Sequence, residues 1–139
     1  MAYETGSATD VHDMLNKIRL FLLSNGYTVN NWSVVTGPNY RLNVQRGDIY
    51  LNLCSAQNYN PSSTSTTRNI HGIALSPSTG YNPSAGGSRP WKNQPGAPDG
   101  ESTTYFSEGI YCVYAAFLEN DIPEYHLFAD GDNFAAAIS

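Results

Sequence analysis

The side chains best suited to acid–base or metal chemistry in this sequence are three histidines that stand far apart, His12, His71 and His126. His12 falls in a helical pattern and the other two fall in strand-like segments. No two of them have the i, i+4 spacing of a helical metal site, and the G-x-S-x-G pattern of a nucleophilic serine is absent. These patterns predict no metal site, no cofactor and no enzyme activity.

Carboxylates offer a second route to catalysis. Glu119, Asp121 and Glu124 are close in sequence, but they surround Pro123 and are typical of a solvated turn. Two other carboxylates that are distant in sequence could still meet in space, as glycoside hydrolysis requires, and neutralisation of a carboxylate such as Glu108 or Asp130 would then abolish activity. That alternative stays open at the level of sequence.

Three short motifs match known functional patterns, but each has a simpler interpretation. Arg46–Asp48 spells the cell-adhesion tripeptide RGD, but it lies between two alternating arms, where glycine suits a turn. Asn31–Ser33 fits a glycosylation sequon, yet the N-terminal residues lack the basic start and apolar segment of a secretory leader. Asp130–Asn133 has acidic spacing but lacks the glycine and closing glutamate of an EF-hand loop, so it predicts a hairpin turn.

One helix is strongly indicated, over residues 9–25. Its apolar positions follow the spacing of a single helical face, and we expect them to form the core: Val11, Met14, Leu15, Ile18 and Leu22. Thr9 is the predicted N-cap, Asp10 and Asp13 place negative charge in the first turn, and Asn25-Gly26 supplies the C-terminal stop.

Most of the remaining chain has the patterns of β-structure. Residues 27–35 predict a strand with an irregularity at Asn30-Asn31, and residues 40–56 predict a hairpin in which Leu42 and Val44 alternate with polar neighbours. Residues 68–76 predict another strand. Residues 110–118 are compatible with strand or helix, and residues 125–138 predict a hairpin that turns at Asp130-Gly131.

Composition limits the classes of partner. The charged fraction of 14% is well below the usual quarter, the net charge is −5, and the seven basic residues are scattered. We therefore expect no nucleic-acid partner, and no apolar run is long enough for a membrane span. Cys54 and Cys112 stand in apolar, strand-like contexts, where buried thiols are the simplest interpretation.

A long segment rich in glycine and proline, residues 76–101, also carries Tyr81 and Trp91. An indole gains little from exposure to water, so a flexible linker rarely contains tryptophan. We predict that the aromatic residues here and in the C-terminal segment act as anchors of the loop or of an interface: Tyr81, Trp91, Tyr105 and Tyr125. Stacking of such rings on a glycan is the alternative interpretation.

Three stretches of the chain match patterns that recur together, in the same order, in one group of proteins. The first, AYETGSATDVHDMLNKIRLFLLSNGYTV, is similar to an A-[YF]-x-T-G-x-A opening, followed by a helix and a GWTV-like strand. The second, NIHGIALSPSTGYNPSAGGSRPWKNQPGAP, is similar to a YGIALNxSTGYD…W…QPG segment. The third, IPEYHLFADGD, is similar to an IPxYHFFAxxD segment that precedes a valine-rich strand. In these stretches the chain resembles a group of small structural proteins of tailed-bacteriophage virions. The chain departs from the group at FAAAIS, which indicates either a shortened chain or a last strand supplied by a neighbouring subunit.

The resemblance implies an architectural protein of the tail or head–tail junction, located in the virion, whose partners are copies of itself and other virion proteins. A host-surface glycan is the alternative partner. We predict one α+β domain in which an N-terminal amphipathic helix packs on an antiparallel β-sheet, with a long Gly/Pro/aromatic loop. Its parts are the helix at 9–25, a β-rich region at 27–75, the loop at 76–101 and a C-terminal β-rich segment at 102–139.

Overall fold

The structure of the chain is a computed structural model that describes residues 1–35, 39–59, 70–84, 94–97, 113–117 and 122–139. It has one helix and eight strands within these ranges. In chain order they are β1 (Ala2–Ala8), α1 (Val11–Ser24), β2 (Thr28–Val35), β3 (Asn39–Arg46), β4 (Ile49–Tyr59), β5 (Ile70–Ser78), β6 (Val113–Phe117), β7 (Ile122–Asp130) and β8 (Asn133–Ile138).

The predicted helix is present, with one correction at its start. The N-cap is Asp10 and not Thr9, because the Asp10 carboxylate accepts hydrogen bonds from the backbone N–H groups of His12 and Asp13. Thr9 instead donates its backbone N–H to the Asp13 carboxylate at 3.0 Å. This reciprocal arrangement satisfies two of the helix's free amides and holds the Thr9 amide as well.

The C-terminus of α1 is closed by a Schellman motif. Gly26 adopts a φ of 84°, as the Asn25-Gly26 pair predicts. The backbone N–H of Tyr27 donates to the carbonyl of Leu22 at 3.1 Å, and that of Gly26 donates to Leu23 at 3.4 Å. Tyr27 and Leu22 are both buried, so the motif turns the chain directly into β2 against the core.

Five strands form one antiparallel sheet in the order β2-β3-β4-β5-β6. The irregularity predicted in β2 is a register shift between Val29 and Asn31, and the predicted hairpin turns at Gly47, whose φ is 54°. The ambiguous apolar segment contains a strand, β6. The strand predicted before the long loop extends to Ser78, because Ser76–Ser78 pair with β4.

A second sheet of three strands has the order β1-β7-β8, which corrects the prediction of a single sheet. The β7–β8 hairpin turns after Asp130, where Gly131 has a φ of 58°. The strand β1 is not among the predicted elements, and it pairs antiparallel with β7 near the other end of the chain. The α+β class and the antiparallel strands are confirmed.

The core lies where α1 meets strands of both sheets. The five helix positions predicted for the core, Val11, Met14, Leu15, Ile18 and Leu22, are at most 2% exposed, and Phe21 joins them at 3%. They form one cluster with Leu42 and Leu53 of the larger sheet and with Leu127 of the smaller. The helix therefore fixes the two sheets relative to each other through a shared apolar contact.

The face of the five-stranded sheet that points away from α1 carries a buried row of polar side chains. Asn31 donates to Asn43 at 3.0 Å, Asn43 donates to Asn52 at 2.6 Å, and Asn52 donates to the Ser76 carbonyl and the Ser78 hydroxyl, both at 2.9 Å. We call this chain of side chains the amide ladder. Asn43, Asn52 and Ser76 are at most 2% exposed, so the ladder supplies the hydrogen bonds that buried polar groups require.

Candidate functional site

The outer face of the three-stranded sheet is apolar, aromatic and exposed. Strand register places six side chains on this face, which we call the aromatic face: Tyr3, Thr5, His126, Phe128, Ala135 and Ala137. Tyr3 is 54% exposed and Phe128 is 39% exposed. Large rings left in water on a strand surface are typical of a contact site.

The rings of the aromatic face are held in place by their neighbours. The ring of Tyr3 lies 5.0 Å from that of Phe128 and is stacked on His126 at 6.0 Å. The Tyr3 hydroxyl is 2.7 Å from Nδ1 of His126, whose Nε2 lies 3.3 Å from the Glu124 carboxylate. The face is therefore pre-organised, which lowers the entropy that a partner must remove on binding.

A shallow apolar hollow adjoins this face. Its volume is about 260 Å³, and it is lined by Met1, Phe128, Ala129, Asp130, Asn133, Phe134 and Ala135. Met1 is 92% exposed beside it. A protruding ring and an apolar hollow thus lie side by side on one small sheet.

A groove of about 380 Å³ runs between the first half of α1 and the β2–β3 strands. Its lining, which we call the α1 groove, consists of Asp10, His12, Asp13, Asn16, Trp32 and Tyr40. The rings of His12 and Tyr40 are 4.7 Å apart, and those of Tyr40 and Trp32 are 5.3 Å apart. Arg19 places its guanidinium carbon 5.1 Å from the Trp32 ring centroid, a cation–π contact.

His12 is a half-buried member of this groove, held in position by a hydrogen bond. Its Nδ1 lies 2.7 Å from the Ser55 hydroxyl, and Nε2 is buried without a hydrogen-bond partner. Burial lowers the pKa of His12, while the nearby Asp10 carboxylate opposes that shift. Ser55 is 0% exposed, so the Ser55–His12 contact does not present a nucleophile to a substrate.

The RGD tripeptide is part of the scaffold. Arg46 donates Nη1 to the carbonyls of Asn25 and Gly131, and its Nε lies 3.6 Å from the Asp132 carboxylate. Its guanidinium also approaches the Tyr27 ring at 5.8 Å. Arg46 therefore joins the end of α1 to the β7–β8 turn, which accounts for the arginine without an adhesion role.

The two ends of the long loop are bonded to each other at its base. The Gln94 side chain accepts from the Asn82 backbone N–H at 2.7 Å and donates to the Asn82 carbonyl at 3.2 Å. Thr79 donates its backbone N–H to the Pro95 carbonyl at 2.8 Å, and Gly96 has a φ of 67° in the adjoining turn. Gln94 is 4% exposed. The base of the loop is thus a closed structural unit.

The predicted anchors fall in different environments. Tyr81 is half-buried within the closed base of the loop. Tyr125 is a core residue at 4% exposure, which corrects its assignment to an interface, and its hydroxyl donates to Glu4 at 2.9 Å. Burial, together with that hydrogen bond, raises the pKa of Tyr125 to about 12. Trp91 and Tyr105 lie outside the described residues.

Many of the other candidates for chemistry fall outside the described residues. Glu108, Cys112, Glu119, Asp121 and the His71 side chain lie outside what the structure describes. Cys54 is buried and accepts a hydrogen bond from Nη1 of Arg41 at 2.8 Å. Asn31 of the sequon belongs to the amide ladder. Within the described ranges, no group of three or more potential ligands could hold a metal ion, and no helix is long and apolar enough to cross a membrane.

Sequence reasoning did not identify the aromatic face or the α1 groove. The face depends on the pairing of β1 with β7, whose contacting residues are 120 positions apart. The groove depends on three elements that converge. No family model matches this chain, and comparison with curated proteins and with solved structures found no match.

Proposed function

We propose that this protein is a structural component of a tailed-bacteriophage virion, in the tail or at the head–tail junction, and that it acts through contacts with copies of itself and with other virion proteins. The observation that carries the proposal is the exposed aromatic face. The resemblance in the three sequence stretches supports the same assignment, and it supplies no catalytic residue.

The chemistry of the face favours a second copy of the chain as its partner. The exposed rings of Tyr3 and Phe128 are large apolar groups, and the hollow beside them is apolar too. A ring of one copy can therefore fill the hollow of another copy, so the surface is complementary to itself. Besides His126, the alternation of β7 places Glu124 and Asp130 on the same side of the sheet, at the two ends of the aromatic face, so the rings between them can be covered while these carboxylates stay hydrated.

The size of the face favours weak contacts that many copies repeat. A stable pair of proteins buries about 1,600 Å² in total. Two partly exposed aromatic rings and three small side chains cover only part of that area. An assembly in which every copy makes several such contacts gains avidity that an isolated pair lacks.

The long Gly/Pro/aromatic loop is the second contact element in this proposal, and the helix packed on the sheets is the rigid part of the chain. The bonds between Asn82 and Gln94 support an ordered base for the loop. Its prolines lower the entropy lost when it is ordered. We expect Tyr81 and Trp91 to dock against protein, in the same chain or in a neighbour.

The proposal is tested by self-association measured with sedimentation velocity over a wide concentration range. We expect the wild-type protein to form larger species as concentration rises, and a Tyr3→Ser/Phe128→Ser double variant to remain monomeric. Val34→Ser is the matched control, because Val34 is an exposed strand residue, at 61%, in the other sheet. Mass spectrometry of purified particles, with copy number, tests the location.

A wild-type chain that stays monomeric at every concentration, and that is missing from particles, contradicts the architectural function. Equal loss of association in the Val34→Ser control contradicts the assignment of the contact to the aromatic face.

A further inference from the structure

The α1 groove has two chemically different sides. One side is a row of neighbouring rings from His12 through Tyr40 to Trp32, with centroids 4.7 and 5.3 Å apart. The other side is a row of oxygen- and nitrogen-bearing side chains on α1, of which Asp13 and Asn16 are three positions apart and share a helix face. An apolar wall opposite a polar wall is the usual design of a small-ligand site.

The polar row retains free hydrogen-bonding capacity. Asp10 uses one carboxylate oxygen, Oδ1, for the backbone N–H groups of His12 and Asp13. Asn16 uses its oxygen to accept from Nε and Nη2 of Arg19, at 3.0 and 2.7 Å, which leaves its amide N–H groups available as donors. The row therefore offers both acceptors and donors to a ligand, as hydroxyl groups require.

The charges around the groove disfavour an anion. The carboxylates of Asp10 and Asp13 repel it, and the net charge of −5 adds to that repulsion. The same carboxylates attract a cation, and the guanidinium of Arg19, 5.1 Å from the Trp32 ring centroid, offsets that attraction in part. A neutral ligand with an apolar face and several hydroxyl groups can use both the rings and the polar row.

We propose that the α1 groove binds a neutral sugar ring. The C–H face of the sugar packs on Tyr40 and Trp32, and its hydroxyls bond to Asp10, Asp13 and Asn16. This binding activity goes beyond the architectural function, because it uses a different surface and needs no second copy of the chain.

The experiment is a two-dimensional ¹H–¹⁵N NMR titration of the wild-type protein with three neutral probes: methyl α-D-glucopyranoside, methyl α-D-galactopyranoside and N-acetylglucosamine. We expect saturable shifts of the Trp32 indole N–H and the Asn16 side-chain amide for at least one probe, with a Kd of about 1 mM. Glucuronic acid, which is negatively charged, is expected to bind at least about tenfold more weakly because Asp10 and Asp13 repel it.

Two substitutions separate recognition from folding. Asn16→Asp keeps the oxygen that holds Arg19 but removes the amide donors, so we expect about tenfold weaker binding of the neutral probe with an unchanged fold. Trp32→Phe is expected to retain part of the affinity, and Trp32→Ala to lose it. The Tyr3→Ser/Phe128→Ser variant is the control, and its affinity is expected to match the wild type.

The proposal is overturned if no neutral probe shifts the Trp32 and Asn16 signals in a saturable way, or if glucuronic acid binds more tightly than the neutral sugars. It is also overturned if Asn16→Asp leaves the affinity unchanged. Loss of sugar binding and loss of self-association are distinguishable, since they depend on opposite parts of the molecule and on separate variants.

Discussion

The two sheets differ in the polarity and the exposure of the side chains on their faces that point away from α1. The face of the five-stranded sheet carries Asn43, Asn52 and Arg41, all at most 2% exposed. The face of the three-stranded sheet carries Tyr3 and Phe128, at 54% and 39% exposure. In most proteins the polar side chains face water and the aromatic rings are buried, so the two faces show the reverse of the usual arrangement.

The difference indicates which of the two faces stabilises the single chain. Burial of an amide is tolerated only when its hydrogen bonds are made, and the amide ladder makes them across four strands. The apolar area of the aromatic rings requires no hydrogen bonds within the chain. Their apolar area stays in water until another molecule covers it, which is why we assign the ladder to stability and the aromatic face to association.

The largest expected effect on stability is that of Asn52→Leu, which interrupts the amide ladder. Leucine is close to asparagine in size, but it leaves the Asn43 amide without its acceptor and the Ser76 carbonyl and Ser78 hydroxyl without their donor. We expect the free energy of unfolding to fall by about 2–4 kcal/mol, measured by urea denaturation.

The matched control for that variant is Asn133→Leu, at an exposed strand position where the side chain donates only to the Asp130 carbonyl. Its expected loss is below about 1 kcal/mol. Equal losses in the two variants contradict the view that burial makes the ladder indispensable.

The inner side of the small sheet gives the second test, Gly6→Ala. A Cβ at this position would lie 2.8 Å from the Tyr125 hydroxyl oxygen and 3.0 Å from Cζ. Since Tyr125 is buried and bonded to Glu4, it has little freedom to move, and we expect destabilisation by about 1–3 kcal/mol.

A double-mutant cycle with Tyr125→Phe measures the origin of that loss. Removal of the hydroxyl relieves the closest contact, so the combined variant is expected to lose less than the sum of the two single losses. Strict additivity of the two changes would contradict close packing of β1 against β7.

Much of this fold follows from local patterns. The five core positions of α1 share one helical face, and glycines mark the turns at Gly47 and Gly131. The strand β1 is not predicted because it consists mostly of small and polar residues, includes Gly6, and has only two residues that favour strands, Tyr3 and Thr5. Its pairing with β7 is non-local, so no neighbouring residue signals it.

The sites are less accessible to sequence reasoning than the fold. Tyr125 has the composition signal of an interface anchor, but a tyrosine that buries its ring and bonds its hydroxyl internally has the same signal. Likewise Asn43 and Asn52 alternate with apolar residues, a pattern typical of a strand whose polar side faces water. Only the tertiary structure separates these cases.

The third test is the pH dependence of the free energy of unfolding that is due to His12. This residue lies on α1 and contacts Ser55 on the helix-facing side of the larger sheet. Burial lowers the pKa of His12 in the folded state, so the unfolded chain takes up the proton first as pH falls. We expect stability to decrease as pH falls through about 6.5 and to level off below the folded pKa. His12→Gln, which cannot titrate, is expected to flatten this part of the profile measured by thermal unfolding, and an unchanged slope would contradict the assignment.

The smallest expected effect is that of Phe128→Ser on the isolated monomer. The substitution removes the ring contact with Tyr3, whose centroid lies 5.0 Å away, but it opens no cavity because the side chain is already 39% exposed. We expect a loss of about 0.5–1 kcal/mol in the free energy of unfolding at low concentration, and almost none for Phe128→Tyr. A loss as large as that of Asn52→Leu would mean that the aromatic face stabilises the single domain, and its exposure would then no longer argue for a contact between copies.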